Sequence, residues 1–224
     1  ATLWDMQKFY DNINIIKLIE EFKETEYPVS LAALGMQMHM APRVIKAYDN
    51  YTIVDALPTN SIIAGCTQSN YFARVLLYRL LKKVTEDTLV ENRAFVDDLN
   101  QSYTTKDPKE VSSELITAGI QLASGLEALG NIINQDKSMV VASNDMCAKR
   151  IVRGLRNGGY TLVRSRFAKD LGIGTTVGRR RHTSTIWKRF MLVRTRVRRI
   201  KILTAIDKRA SKLYNTGAYP QATY

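Results

Sequence analysis

Two short apolar runs that end in carboxylates constrain this chain more than any other feature. Leu3-Trp4 leads into Asp5, and Ala94-Phe95-Val96 leads into the adjacent pair Asp97-Asp98. A short apolar-aromatic run closed by an acid fits a buried strand that ends at its acidic residue. Sheet residues would then carry the carboxylates, with helices behind them, in an α+β arrangement. Three carboxylates brought together by a fold can hold two Mg²⁺ ions, which clamp the attacking and leaving oxygens of an in-line phosphoryl transfer. A carboxylate set without His or Cys suits Mg²⁺, which prefers a few oxygen ligands plus substrate phosphates.

The rest of the first 148 residues reads as an alternation of helices and strands. Leu3 to Tyr10 is expected as a strand. Asn14 to Lys23 places Ile15, Ile16, Leu18, Ile19 and Phe22 at helical period. Tyr27-Pro28 breaks that helix, and Val29 to Met40 forms a second, stopped before Pro42. Arg43 to Leu57, rich in Val, Ile and Tyr, predicts a hairpin. Gly65 precedes a helix over Ser69 to Val84, with a Phe72, Val75, Leu76 and Leu80 stripe. Backbone N–H groups at such a helix start offer a contact for phosphate or a base pair. Asp107-Pro108-Lys109-Glu110 is a strong helix start, and the helix runs to Gly130. Ser138 to Ala142 follows as a short strand. Past Leu162-Val163, Gly172, Gly174 and Gly178 space out a loop, and Arg179-Arg180-Arg181 opens a long basic helical region. Ile186, Phe190, Val193, Val197, Ile200, Leu203 and Ile206 recur every three or four residues there, with Arg and Lys at most other positions.

Charge divides the chain. Residues 1–148 carry 13 Lys/Arg against 19 Asp/Glu, a net of −6; residues 149–224 carry 20 against 2, a net of +18. An acidic body beside a basic arm is what a protein that handles a polyanion needs. Cys66 and Cys147 give neither a disulfide framework nor a metal spacing, and a reducing compartment is the default. His39 and His182 are too few and too far apart for zinc and read as partly exposed polar residues. No stretch approaches the roughly 20 apolar residues of a membrane span, and no signal peptide is visible. The expected setting is intracellular, in cytoplasm or nucleus. Because it begins with Ala1 and its first strand starts at once, the chain reads as a fragment of a longer one.

The order of these motifs resembles the palm and thumb of a reverse transcriptase of the non-LTR retrotransposon type. Trp4-Asp5-Met6-Gln7-Lys8-Phe9-Tyr10-Asp11 is similar to that family's first catalytic motif. Ala64-Gly65-Cys66-Thr67-Gln68-Ser69 resembles its second, Phe95-Val96-Asp97-Asp98 its aromatic-x-Asp-Asp box, and Gly130 to Ser138, with Lys137, the turn after the long helix. Asp170-Leu171-Gly172-Ile173 is similar to the Leu-Gly element that grips the primer. Ala64, Thr67 and Asn70 stand where the second motif usually has Gln and two prolines. The fingers segment that should precede Asp5 is absent.

The resemblance implies a ferredoxin-like palm over residues 1–165 and a basic α-helical thumb over residues 166–224. It implies an RNA-directed DNA polymerase that adds dNTPs to a primer 3′-hydroxyl on an RNA template, this fragment alone being inactive. Asp5, Asp97 and Asp98 would be catalytic and hold two Mg²⁺, or Mn²⁺. Phe9, Tyr10, Gly65, Gln68 and Lys137 would contact the incoming nucleotide and its template partner. Tyr10 would fill the space of a 2′-hydroxyl and so select deoxynucleotides. Leu171, Gly172, Arg179, Arg180, Arg181, Lys188, Arg189, Arg194, Arg196, Arg198 and Arg199 would bind the template–primer. The competing expectations are a degenerate nucleic-acid-binding module with the same fold, an RNA-dependent RNA polymerase, against which Tyr10 and Phe95-Val96 argue, and a basic scaffold with an incidental Asp pair.

Overall fold

A buried glutamine sets the register of the central sheet. In this computed structural model, which describes residues 1–54, 58–170, 173–176 and 183–223, Gln101 is fully buried. Its side-chain oxygen accepts from Trp4 Nε1 at 2.9 Å and from Thr2 Oγ1 at 3.2 Å. Its amide donates to Asn92 Oδ1 at 2.9 Å and to the Ala118 carbonyl at 3.1 Å. These bonds join three strands and a helix, and a one-residue slip would break all of them.

The strands are β1 (Thr2–Trp4), β2 (Arg43–Ala47), β3 (Asn50–Val54), β4 (Glu91–Phe95), β5 (Asp98–Ser102), β6 (Met139–Val141), β7 (Val163–Ser165), β8 (Phe167–Asp170) and β9 (Ile173–Thr176). The helices are α1 (Phe9–Asn12), α2 (Ile15–Glu24), α3 (Val29–Met40), α4 (Thr67–Asp87), α5 (Pro108–Ala128), α6 (Asp145–Asn157), α7 (Ser184–Ile206) and α8 (Tyr219–Thr223). The main sheet has five strands in the order β4-β5-β1-β6-β7, with β1 antiparallel to both β5 and β6. Helices α2, α4, α5 and α6 pack together behind it, so the α+β class expected from the sequence is borne out. No described helix is long and apolar enough to cross a membrane.

The chain divides into two compact units. One comprises Ala1–Val140 with Asn144–Arg164, and the other Val141–Ser143 with Ser165–Tyr224. In the first, Trp4, Phe72, Leu76, Leu115, Leu122, Leu126, Ile151 and Leu155 are buried at the meeting of sheet and helices. In the second, the β8–β9 hairpin accompanies α7, a 3₁₀ turn (Lys208–Ser211), a π-helical turn (Tyr214–Ala218) and α8.

Most local expectations hold, and the exceptions have physical causes. The strand expected over Leu3 to Tyr10 stops at Trp4. Lys8 takes a left-handed conformation (φ 42°, ψ 52°) that turns the chain into α1. The hairpin over Arg43 to Leu57 appears as β2 and β3, while 55–57 lie outside the described residues. Helix α6, not expected, is capped by Asn144, whose side chain accepts from the Met146 N–H at 2.8 Å. Its buried face is Cys147, Ala148, Ile151 and Leu155. The glycine loop is partly a hairpin, since Gly174 lies in β9 opposite Lys169. Gly172, Gly178, Arg179, Arg180, Arg181 and His182 lie outside the described residues. The basic helix starts at Ser184 and ends at Asp207, which caps the following 3₁₀ turn by accepting from the Arg209 N–H at 2.9 Å. His39 is not a partly exposed residue but a fully buried one, enclosed where α3 meets α4.

Candidate functional site

Strand register gathers the three aspartates at one end of the sheet. β1 pairs with β5 as Thr2↔Gln101, Leu3↔Asn100 and Trp4↔Leu99. The ladder ends there, and the next residues along the two runs are Asp5 and Asp98. Trp4 and Leu99 are both buried, so by the two-residue period Asp5 and Asp98 share the other face of the sheet. Asp97 lies in the two-residue turn between Phe95 and Asp98, which close the β4–β5 hairpin as a pair. The carboxylates are therefore neighbours by topology, although the two runs that carry them are far apart in sequence.

The backbone around Asp5 is held from the segment after α5. The Asp5 N–H donates to Ser138 Oγ at 3.0 Å, and the Asp5 carbonyl accepts from the Asn134 N–H at 2.8 Å. The same Asn134 carbonyl accepts from Lys137 and Ser138, closing a turn on which Lys137 is exposed. Ser138 is fully buried, while Asp5 and Asn134 are half-buried. Sequence reasoning placed Lys137 on a turn near the site but missed Asn134 and Ser138. Their signal, two small polar residues flanking Lys137, is indistinguishable in sequence from an ordinary turn.

Tyr10 stands beside the hairpin turn. Its hydroxyl donates to Asn70 Oδ1 on α4 at 2.7 Å. Burial raises the phenol's pKa above its ordinary value, and the nearby negative charge of Asp97 raises it further. The phenol thus remains protonated and tethered. Phe9, its neighbour, is buried, with its ring edge-on to Tyr10 at 5.5 Å between centroids.

Val96, the first residue of the hairpin turn, has φ +58°. That left-handed region is unfavourable for a β-branched side chain and costs about 1–3 kcal/mol. Such strain persists where surrounding structure over-determines the turn, which here presents Asp97.

The segment before α4 is fixed on two sides. The Ser61 and Ile62 N–H groups donate to the carbonyls of Ile13 and Tyr10, each at 2.9 Å. Gly65 takes φ +84° with open space where a Cβ would stand. Gln68 turns the other way. Its side-chain oxygen is buried without a hydrogen-bond partner among the described residues, and a Cβ on Gly35 of α3 would meet it at 2.3 Å.

In the second unit, α7 carries Lys188, Arg189, Arg194, Arg196, Arg198 and Arg199. At about 100° per residue they fall on two sides of the helix, Lys188, Arg189, Arg196 and Arg199 on one and Arg194 and Arg198 on another. Arg196 also donates to the Gly217 carbonyl at 3.3 Å. The outer surface is less uniformly basic than the sequence period implied, because Trp187, Ile202 and Ile206 are exposed on it. Leu171 and Gly172 lie outside the described residues.

The donor set at the sheet end is all carboxylate, the kind that hard divalent cations take. Among the described residues no three His, Cys, Asp or Glu side chains converge closely enough to form a ready-made metal cluster. Comparison of the chain with protein-family models and with curated protein sequences gives no match.

Proposed function

We propose that the chain is the palm and thumb portion of an RNA-directed DNA polymerase, adding deoxynucleotides to a primer 3′-hydroxyl. The observation that supports this reading is the register that pairs Trp4 with Leu99, one step short of Asp5 and Asp98, with Asp97 in the strained turn beside them. On this reading the main sheet and its helices form a ferredoxin-like palm, and α7 belongs to the thumb. Asp5, Asp97 and Asp98 would hold two Mg²⁺, or Mn²⁺. Bound there, the ions would lower the pKa of the primer hydroxyl and offset the charge that develops on the leaving pyrophosphate.

The chain's own residues do the rest. The Ser138 and Asn134 bonds hold the Asp5 backbone still, so its carboxylate keeps one place relative to Asp98. Tyr10, tethered to Asn70 and backed by Phe9, occupies the volume that a ribose 2′-hydroxyl would need. Lys137 supplies a positive charge for the triphosphate from the clamped turn. The cations of α7 grip phosphates without reading bases.

Primer extension on an RNA template with dNTPs and Mg²⁺ or Mn²⁺, by the chain joined upstream to a fingers segment, tests the proposal. Asp97→Asn should reduce extension by about a thousandfold or more, roughly 4 kcal/mol of transition-state stabilisation. Equal extension by both proteins would refute the assignment of Asp97. A second reading, a module that binds nucleic acid but no longer copies it, is favoured by Gln68, whose side-chain oxygen faces α3. Under it, extension is absent while template–primer binding persists. In either case binding should weaken with salt by about 0.7–0.9 log units per phosphate contact for each tenfold increase.

A further inference from the structure

His39 is fully buried, yet the chemistry at the sheet end does not use it. Its ring lies edge-on to Phe72 at 5.5 Å. Nδ1 accepts a hydrogen bond from the Ile63 N–H at 3.0 Å. An accepting Nδ1 carries no proton, so the neutral ring has its proton on Nε2. Nε2 is buried without a partner among the described residues. Ile63 is in turn the hub of the segment ahead of α4. Its carbonyl accepts from Ser69 Oγ at 2.6 Å and from the Cys66 N–H at 3.3 Å, which closes the turn carrying Gly65. One buried imidazole nitrogen therefore satisfies the amide around which the turn is built.

We infer that His39 is a positioning residue for the 61–69 segment, its neutral ring holding Ile63 and, through Ile63, the turn that presents Gly65 to nucleic acid. The link to nucleic acid rests on the reading proposed above; the hold on Ile63 does not. A doubly protonated ring has two donors and no acceptor, so it cannot bond the Ile63 N–H. It would also bury a charge with no counter-ion in α3 or among residues 61–70. Val29 to Met40 contains no other charged side chain, and residues 61–70 offer only the Cys66 thiol as a titratable group. The Arg43 guanidinium, at the start of β2, opposes a second positive charge, and burial opposes it more strongly. The hold is thus complete when the ring is neutral and released when it takes a proton.

The test is amide hydrogen exchange of Ile63, corrected for intrinsic rate, between about pH 7.5 and 5. In the wild-type protein Ile63 should be well protected at neutral pH, and any loss on acidification should follow protonation of the ring, about tenfold for one lost bond to a buried group. His39→Asn puts an amide oxygen where Nδ1 stands, an acceptor that does not titrate. It should keep Ile63 protected, with the pH dependence gone. His39→Phe keeps the ring but not the acceptor and should leave Ile63 poorly protected throughout. Full protection in His39→Phe, or poor protection in His39→Asn, would overturn the inference. Primer extension by the same proteins reads the other half. If Ile63 protection depends on His39 as stated but the chain joined to a fingers segment copies nothing at any pH, His39 keeps its structural role and the polymerase reading falls.

Discussion

At Val96 a β-branched residue sits at φ +58° in the turn that presents Asp97. Glycine reaches that conformation without a Cβ clash, so Val96→Gly should raise stability despite the extra freedom it gives the unfolded chain. The gain should be about 1 kcal/mol, read as a higher urea midpoint at unchanged slope. Tyr10 carries a different test. If its phenol fills the place of a 2′-hydroxyl, Tyr10→Ala should admit ribonucleotides, measured as rNTP against dNTP incorporation; unchanged discrimination would remove that role. Tyr10 could be singled out from sequence because of its distance from Asp5. Its acceptor Asn70 could not, since their pairing depends on how α4 crosses α1. His39 was misjudged for the same reason, because its burial comes from α3 meeting α4 and not from any local pattern.

Helix α5 declared itself in sequence at both ends, whereas α6, capped by the Asn144 side chain, did not. Asp107 accepts from the Lys109 N–H at 2.8 Å, Pro108 opens α5, and Gly130 follows its end with φ +86°. The acidic hairpin was legible only in part. The apolar run into Asp97 pointed to a strand, but the β1–β5 pairing that ends at Trp4 and Leu99, beside Asp5 and Asp98, depends on Gln101, read by no local rule. Helix contact depends on small residues that periodicity overlooks. A Cβ on Gly154 of α6 would meet three atoms of Ile116 on α5, the nearest at 2.3 Å. Ile116 is branched at Cβ, so it cannot swing all three aside. Gly154→Ala would gain up to about 1 kcal/mol in helix propensity and lose about 1–3 kcal/mol to overpacking. Overpacking wins, and the variant should show a lower thermal midpoint.

For the molecule as a whole, stability at high pH is tied to Tyr160. Its hydroxyl donates to Glu127 Oε2 at 3.0 Å, and burial, with help from that carboxylate, pushes its pKa up to about 12. An unfolded tyrosine titrates near 10, so the folded state holds this proton more tightly. The contribution is therefore complete below about pH 10 and is lost as pH rises toward 12, a fall that denaturation midpoints across that range should show. The charge division, by contrast, was plain from sequence, because counting needs no geometry. The β2–β3 hairpin is a two-stranded ribbon, and Val44, Ile45, Tyr51 and Ile53 are all exposed on it. Its dense packing is between its own strands. Residues there can be replaced, added or lost with little effect on the core, whereas a single shift at Gln101 would misalign every carboxylate. Sequence can accordingly drift fast along the ribbon and hardly at all along β5.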